Sequence, residues 1–209
     1  MPEKLRWKGQ LVSVQPRIRL QRSFDQRSHT YQGFALRVNG QIADKSALFA
    51  VGVGKATQAK YAFQVGDIVE GFCLPVAQPN LESVEYYEVS GLHILKRTIN
   101  PAPNPPPWLG VPPPIEAYRK RGHRRLAQKT FETKCSSCLW AADMAVEMII
   151  DQWNPSNVRY RRETFCYGPK SCPLYVAGPT RRVPGRKGMT WVEEDWVDEE
   201  ETAHRSPDD

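Results

Sequence analysis

Cys135-Ser-Ser-Cys138, followed by an apolar run and then by Cys166-Tyr-Gly-Pro-Lys-Ser-Cys172-Pro173, is the stretch that decides how the second half of this sequence folds. Four of the five cysteines lie in these two close pairs. Four thiolates are the ligand set of an all-cysteine zinc site or of an iron–sulfur cluster. The sequence therefore predicts one metal centre, held by Cys135, Cys138, Cys166 and Cys172.

Zinc is the first expectation for the metal, because it is the usual partner of four reduced cysteines. A [4Fe–4S] cluster is the alternative, since a proline directly after a ligand cysteine, as at Pro173, is typical of ferredoxin-type runs. Two further alternatives are a redox dithiol at Cys135 and Cys138, although no βαβ pattern surrounds the pair, and buried cysteines without a ligand. The fifth cysteine, Cys73, lies in a predicted strand and is expected in the core.

The run between the two pairs has apolar residues at helical spacing, which predicts one main helix over residues 139–153. The apolar positions are Leu139, Ala142, Val146, Ile149, Ile150 and Trp153. Asn154-Pro155 would end the helix. Cys135 and Cys138 would then precede its N-terminus, where the helix dipole favours thiolate over thiol.

The first half of the sequence reads as short strands with little helix. The predicted strands are residues 5–14, 17–20, 31–38, 47–53, a segment after Gly66-Asp67, and 86–95. Pro16 is expected to interrupt the first run, and Asn39-Gly40 is a hairpin turn signal. Short strands separated by turn signals predict a small β-barrel.

Two features of this half resemble OB-fold domains. One is a long, bent first strand that carries Gly9, and the other is the segment Val65-Gly-Asp-Ile-Val-Glu-Gly71, which opens a late strand. The resemblance covers roughly residues 5–97 and implies an OB-like barrel that binds oligonucleotides or oligosaccharides on one face.

The proline-rich stretch Asn100–Pro114 predicts an extended linker between two parts of the chain. Its alternative role is a docking peptide with Trp108 as the anchor. The predicted fold class is α+β, with an OB-like β-barrel over 1–98 and the linker over 99–114. A basic helix and a small four-cysteine metal domain would occupy 115–190, and an acidic tail 191–209.

Charge is distributed unevenly along the chain. Residues 193–209 contain nine acids and one arginine, so this tail carries −8 and the remainder +14 of the formal net charge of +6. A basic body favours a polyanionic partner such as nucleic acid. The tail is expected to be mobile and acidic, and to offer Trp191 and Trp196 to a protein partner.

The candidate nucleic-acid contacts are basic or aromatic, because single strands are held by stacking on rings and by cations at the phosphates. They are Arg6, Trp7, Lys8, Arg17, Arg19, Arg22, Phe34 and Arg37 in the first half, and Arg119, Arg121, Arg124 and Arg125 in the basic segment after the linker.

The sequence contains neither a phosphate-binding glycine loop nor a Gly-x-Ser-x-Gly elbow, so catalysis is not the expected role. The expected function is a non-catalytic protein that binds single-stranded DNA or RNA and has a structural metal centre. The alternatives are an iron–sulfur redox or regulatory protein, and an assembly adaptor. No long apolar run or secretory signal is present, which predicts a cytoplasmic location and no membrane contact.

Overall fold

The computed structural model describes residues 3–24, 26–99, 106–193 and 195–209. The strands in these residues are β1 (Leu5–Arg22), β2 (Arg27–Ile42), β3 (Lys45–Val53), β4 (Ile68–Pro75), β5 (Tyr86–Lys96), β6 (Arg124–Arg125), β7 (Ala141–Ile149), β8 (Val158–Cys166), β9 (Arg181–Pro184) and β10 (Thr190–Glu193). The helices are α1 (Lys55–Tyr61), α2 (Ile115–Arg121), α3 (Gln128–Thr130) and α4 (Asp195–Thr202), with a π-helical turn at Phe131–Cys135 and 3-10 turns at Pro79–Leu81 and Arg186–Gly188.

The architecture is mostly β-sheet with a few helices. Strands β1 to β8 form one mixed sheet in the order β2-β3-β5-β4-β1-β7-β8-β6, and β9 and β10 form a separate hairpin. An additional pairing of β1 with β2 bends the first five strands into a partial ring. The link between β3 and β5 is the narrowest in this ring, a single parallel pair of Val51 with Tyr86.

Strand β1 is the hub of the sheet. One edge pairs with β2 along nearly the whole strand, while the other edge pairs with β4 at Leu5–Gln10 and with β7 at Arg19–Arg22. The predicted interruption at Pro16 is wrong, because β1 continues through it. Pro16 lies between the stretches that pair with β4 and β7, where a residue without an N–H is tolerated.

The predicted hairpin turn at Asn39-Gly40 is also wrong. Strand β2 runs through both residues, and the turn to β3 is made by Ala43 and Asp44, with φ of 45° and 64°. Gly40 instead faces Gly9 across the β1–β2 pair. A Cβ on Gly40 would lie 2.2 Å from the Lys8 carbonyl oxygen, so this glycine permits a close approach of two strands.

The predicted main helix over residues 139–153 is a β-strand. Strand β7 pairs with β8 along its length and with the end of β1. Its alternate residues Ala142, Met144, Val146 and Met148 are buried, and this period of two is the pattern of a strand. The helix-dipole argument for Cys135 and Cys138 therefore no longer applies.

One hydrophobic core takes side chains from both sides of the proline-rich stretch. It contains Leu20 and Phe34 together with Val146 and Phe165. Residues 100–105 of the predicted linker lie outside the described residues, and the division of the chain into domains stays a prediction. No helix in the described residues is long and apolar enough to cross a membrane.

The expectation of a mobile acidic tail is wrong for the residues that the structure describes. Glu193 and Asp198 are buried, and α4 packs on the basic body through ion pairs of its acids with Arg27 and Arg125. Glu193 pairs with Arg22, and Asp198 accepts hydrogen bonds from the Arg125 backbone N–H and Nε–H, both at 3.0 Å. The negative charges of the tail thus neutralise arginines of the same chain.

A buried histidine pair predicts acid sensitivity. The rings of His29 and His123 lie 4.7 Å apart, and burial, followed by Arg27 and Arg22, lowers the pKa of His29 to about 4. Burial also lowers the pKa of His123 well below its ordinary value. Below about pH 6.5 these histidines take up protons in the unfolded chain but not in the folded chain. The free energy of unfolding should therefore be highest above about pH 6.5 and should decrease toward pH 4.

The loss expected from His29 alone is roughly 3 kcal/mol across this range. Urea unfolding between pH 7 and pH 4 measures it, and His29→Gln should flatten the dependence. The control is His93→Gln, which changes an exposed histidine. The prediction would be contradicted if the free energy of unfolding depended equally on pH in the unchanged protein and in both variants.

Candidate metal centre

The four cysteines of the two pairs border one cavity. Cys135 ends the π-helical turn, Cys138 lies in the tight turn that follows, Cys166 is the last residue of β8, and Cys172 lies in the loop beyond. The rest of the cavity wall is mainly apolar and includes Trp108, Trp140, Leu174 and Tyr175. Side chains that are far apart in sequence therefore face a common space, although no three His, Cys, Asp or Glu side chains of the described residues are arranged to hold a single metal ion.

Burial makes the free thiols weak acids. It raises the pKa of Cys135 to about 11, and the neighbouring Cys166 and Cys172 raise it further. Burial raises the pKa of Cys138 to about 12, although backbone hydrogen bonds from Trp140 and Trp108 oppose the rise. Without a cation the thiols of Cys135 and Cys138 stay protonated at neutral pH, and a metal would bind by displacing their protons.

Several donors point at the sulfur atoms, as a thiolate site requires. The Gly168 backbone N–H donates to Cys166 Sγ at 3.4 Å. Arg124 lowers the pKa of Cys166 through its charge and a side-chain hydrogen bond, against the larger effect of burial. The Arg124 Nε–H is buried and has no hydrogen-bond acceptor among the residues that the structure describes. This orphaned donor and the thiol set fit a tetrathiolate metal group, whose outer-shell hydrogen bonds are part of its site.

Arg124 was a predicted nucleic-acid contact, and the structure gives it a different environment. The residue is only 9% exposed, and its guanidinium lies 3.8 Å from the centroid of the Tyr175 ring. It donates hydrogen bonds to the carbonyl oxygens of Pro169 and Lys170 at 2.9 and 3.3 Å. Arg124 therefore holds the loop between Cys166 and Cys172 and is not open to a ligand strand.

Gln15 holds the other cysteine pair, and sequence reasoning missed it. Its buried side-chain amide lies within donating distance of three carbonyl oxygens, those of Cys135 (3.2 Å), Ser136 (3.2 Å) and Cys138 (3.0 Å). The residue belongs to β1, in the stretch that pairs with neither β4 nor β7. The one sequence signal was an uncharged amide between Val14 and Pro16 in a predicted strand region.

In the Gln15→Leu variant the metal centre should still form, but it should release its metal more readily. The side chain keeps its approximate size, while three buried carbonyls lose their shared donor. Loss of an outer-shell partner typically costs about tenfold or more in metal affinity. The rate of metal release to a chelator measures the effect, with Gln10→Leu on the exposed face of β1 as the control. Equal release rates would show that Gln15 does not support the site.

Four other predicted nucleic-acid contacts are wrong because they are buried. Trp7 and Phe34 are each 1% exposed in the core, so neither ring can stack on a base. Arg22 is 3% exposed and pairs with Glu193, and Arg125 is fully buried against Asp198. The sequence shows that these residues are cationic or aromatic. In the structure, however, the rings pack in the core and the arginines form buried ion pairs.

The remaining predicted contacts are wholly or partly accessible. Arg17 and Arg19 share Glu82, and Arg121 pairs with Asp209 and stacks on Trp140. Arg6, Lys8 and Arg119 are exposed, and Arg37 is half-buried. The cationic surface is therefore smaller than the sequence indicated.

No family model, curated protein or solved structure matches this chain. What the chain does has therefore to be inferred from the chemistry of its own side chains.

Proposed function

We propose that this chain is a metalloprotein in which Cys135, Cys138, Cys166 and Cys172 hold one tetrathiolate centre. The observation that carries the proposal is that four cysteines from separate segments border one cavity. Further support comes from the Gly168 backbone N–H and the Arg124 guanidinium, which both act on Cys166. When bound, the metal group links the turn after α3 to the end of β8 and the following loop.

Zinc and a [4Fe–4S] cluster are the two metal groups that four thiolates commonly hold. The apolar side chains of Trp108, Leu174 and Tyr175 border the same cavity as the cysteines. If the group is a cluster, this apolar surround is one of the factors that would set its reduction potential.

Metal and sulfide analysis of anaerobically purified protein tests the proposal. A [4Fe–4S] cluster should give about four iron and four sulfide per chain and a brown protein that absorbs at roughly 400 nm. One zinc per chain with no visible absorbance would keep the tetrathiolate centre and change the metal. Protein that contains neither metal would contradict the proposal.

We also propose that β1 to β5 form an OB-like barrel that binds single-stranded nucleic acid. The support is the partial ring of pairings β1-β2-β3-β5-β4-β1, since a five-stranded, partly open barrel is the OB architecture. On its outer face, Phe72 is 41% exposed and opposite the exposed Arg6, with Lys8 two residues further along β1. Ring and cations together are what a single strand requires.

Anisotropy of a labelled oligonucleotide tests this second proposal. Binding should weaken steeply as salt rises, because phosphate contacts release counterions. Phe72→Ala should weaken it about tenfold through lost stacking. The control is Leu95→Ala, which truncates an exposed side chain of β5. Absence of binding, or an affinity independent of salt, would contradict the proposal.

A further inference from the structure

A cleft lies between the end of β1 and the C-terminal segment of the chain, away from the cysteine cavity. Its walls are largely apolar and come from Phe24, Val183, Trp191, Trp196 and Val197. None of these residues belongs to the metal site or to the proposed nucleic-acid surface. The cleft therefore has no role in the functions proposed above.

The two tryptophans give the cleft an aromatic wall. Their ring centroids lie 6.2 Å apart with an interplanar angle of 88°, so the edge of one ring meets the face of the other. Trp191 is 39% exposed and Trp196 is 48% exposed. A ligand can thus reach ring surface that the protein does not cover.

The charges at the cleft favour a cation. Arg22 and Arg27 line it, but both pair with Glu193, and Arg27 also pairs with Glu201. Glu200, also in the lining, is exposed, and in the described residues it has no ion-pair partner. Both arginines of the cleft are thus ion-paired, although Nε and Nη2 of Arg22 have no hydrogen-bond acceptor among the described residues, and the Glu200 carboxylate remains available.

We infer that this cleft binds a lysine or arginine side chain presented by a basic segment of a partner protein. The cation lies over the open tryptophan surface, where the ring quadrupole attracts it, and Glu200 accepts its N–H donors. The apolar part of the long side chain packs against the half-buried Phe24. The C-terminal segment thus acts as a recognition surface, while its other acids hold it to the body.

Titration of the full chain with a short Arg- and Lys-rich peptide, followed by tryptophan fluorescence and by calorimetry, tests the inference. The basic peptide should bind, and an equally long Glu-rich peptide should not. Trp196→Ala should weaken binding about three- to tenfold through the lost cation–π contact. Glu200→Gln should weaken it severalfold and reduce its salt dependence.

The matched control is Trp153→Ala, which removes a tryptophan that is 85% exposed in the β7–β8 turn and outside the cleft. This variant should bind like the unchanged protein, and circular dichroism should show that all three variants fold. Unchanged affinity in both Trp196→Ala and Glu200→Gln would overturn the inference. So would binding of an oligonucleotide that Trp196→Ala abolishes, since the cleft would then serve nucleic acid.

Discussion

Replacing Cys172 by serine is expected to remove the metal centre and to loosen the region around it. The hydroxyl is a poor substitute for a thiolate, and three remaining cysteines leave the centre incomplete. Metal binding to a structural site contributes about 10 kcal/mol or more in small zinc peptides, so its loss is the largest single change available in this chain. The metal-to-protein ratio should fall from one centre to nearly none.

Hydrogen exchange should locate the damage. The backbone amides of the turn at Cys135–Cys138 and of the loop after β8 should exchange faster, because both segments lose the metal that links them. The control is Cys73→Ala, since Cys73 is buried in β4 and is absent from the cavity wall. A Cys172→Ser protein that keeps its full metal content and its exchange pattern would refute the assignment of Cys172 as a ligand.

Replacing Asp198 by alanine is expected to cost about 3–5 kcal/mol of unfolding free energy, because it strands a buried cation. Arg125 has no exposed surface, and its Nη1–H donates to the Glu193 carbonyl oxygen at 2.7 Å while its Nε–H donates to Asp198. Burial raises the pKa of Asp198, against the opposing effect of Arg125. Each of the two side chains, Arg125 and Asp198, compensates the buried charge of the other, so removing either one leaves an uncompensated charge.

Urea unfolding of matched variants separates the two partners of Arg125. Asp195 also pairs with Arg125, but its side chain is 77% exposed, so Asp195→Ala should cost less than about 1 kcal/mol. The double variant Arg125→Met with Asp198→Leu should recover most of the loss, since an apolar pair of similar volume removes both buried charges. A double variant as unstable as Asp198→Ala alone would contradict this explanation.

The strands of the first half could largely be predicted from sequence because alternation is a local signal, whereas the turn signals at Pro16 and Asn39-Gly40 were overridden by strand pairing. The wrong prediction of a helix over residues 139–153 also has a local cause. Ala142, Val146 and Ile149 satisfy a helical spacing, while Ala142, Met144, Val146 and Met148 satisfy the spacing of a strand. Pairing with β1 and β8 decides between the two, and no window of the sequence contains those partners.

The sequence pointed to the four cysteines that border one cavity, but not to the residues that support them. Cysteine spacing indicated which thiols belong together, whereas Gln15 is 120 residues from Cys135 along the chain. The charge of the tail was read correctly, yet its partners Arg22 and Arg125 come from distant strands. Residue type predicts that an arginine needs an anion, but only the fold decides whether that anion is a phosphate or a carboxylate of the same chain.

The position of β1 has a consequence for synthesis on the ribosome. The strand leaves the exit tunnel well before β7, and its Arg19–Arg22 edge must wait for β7, which begins more than a hundred residues later. During that interval an unpaired backbone edge is open to strands of other nascent chains. Pro16 lacks an N–H and lies just before this edge. It therefore limits how far a strand of another chain could pair along β1.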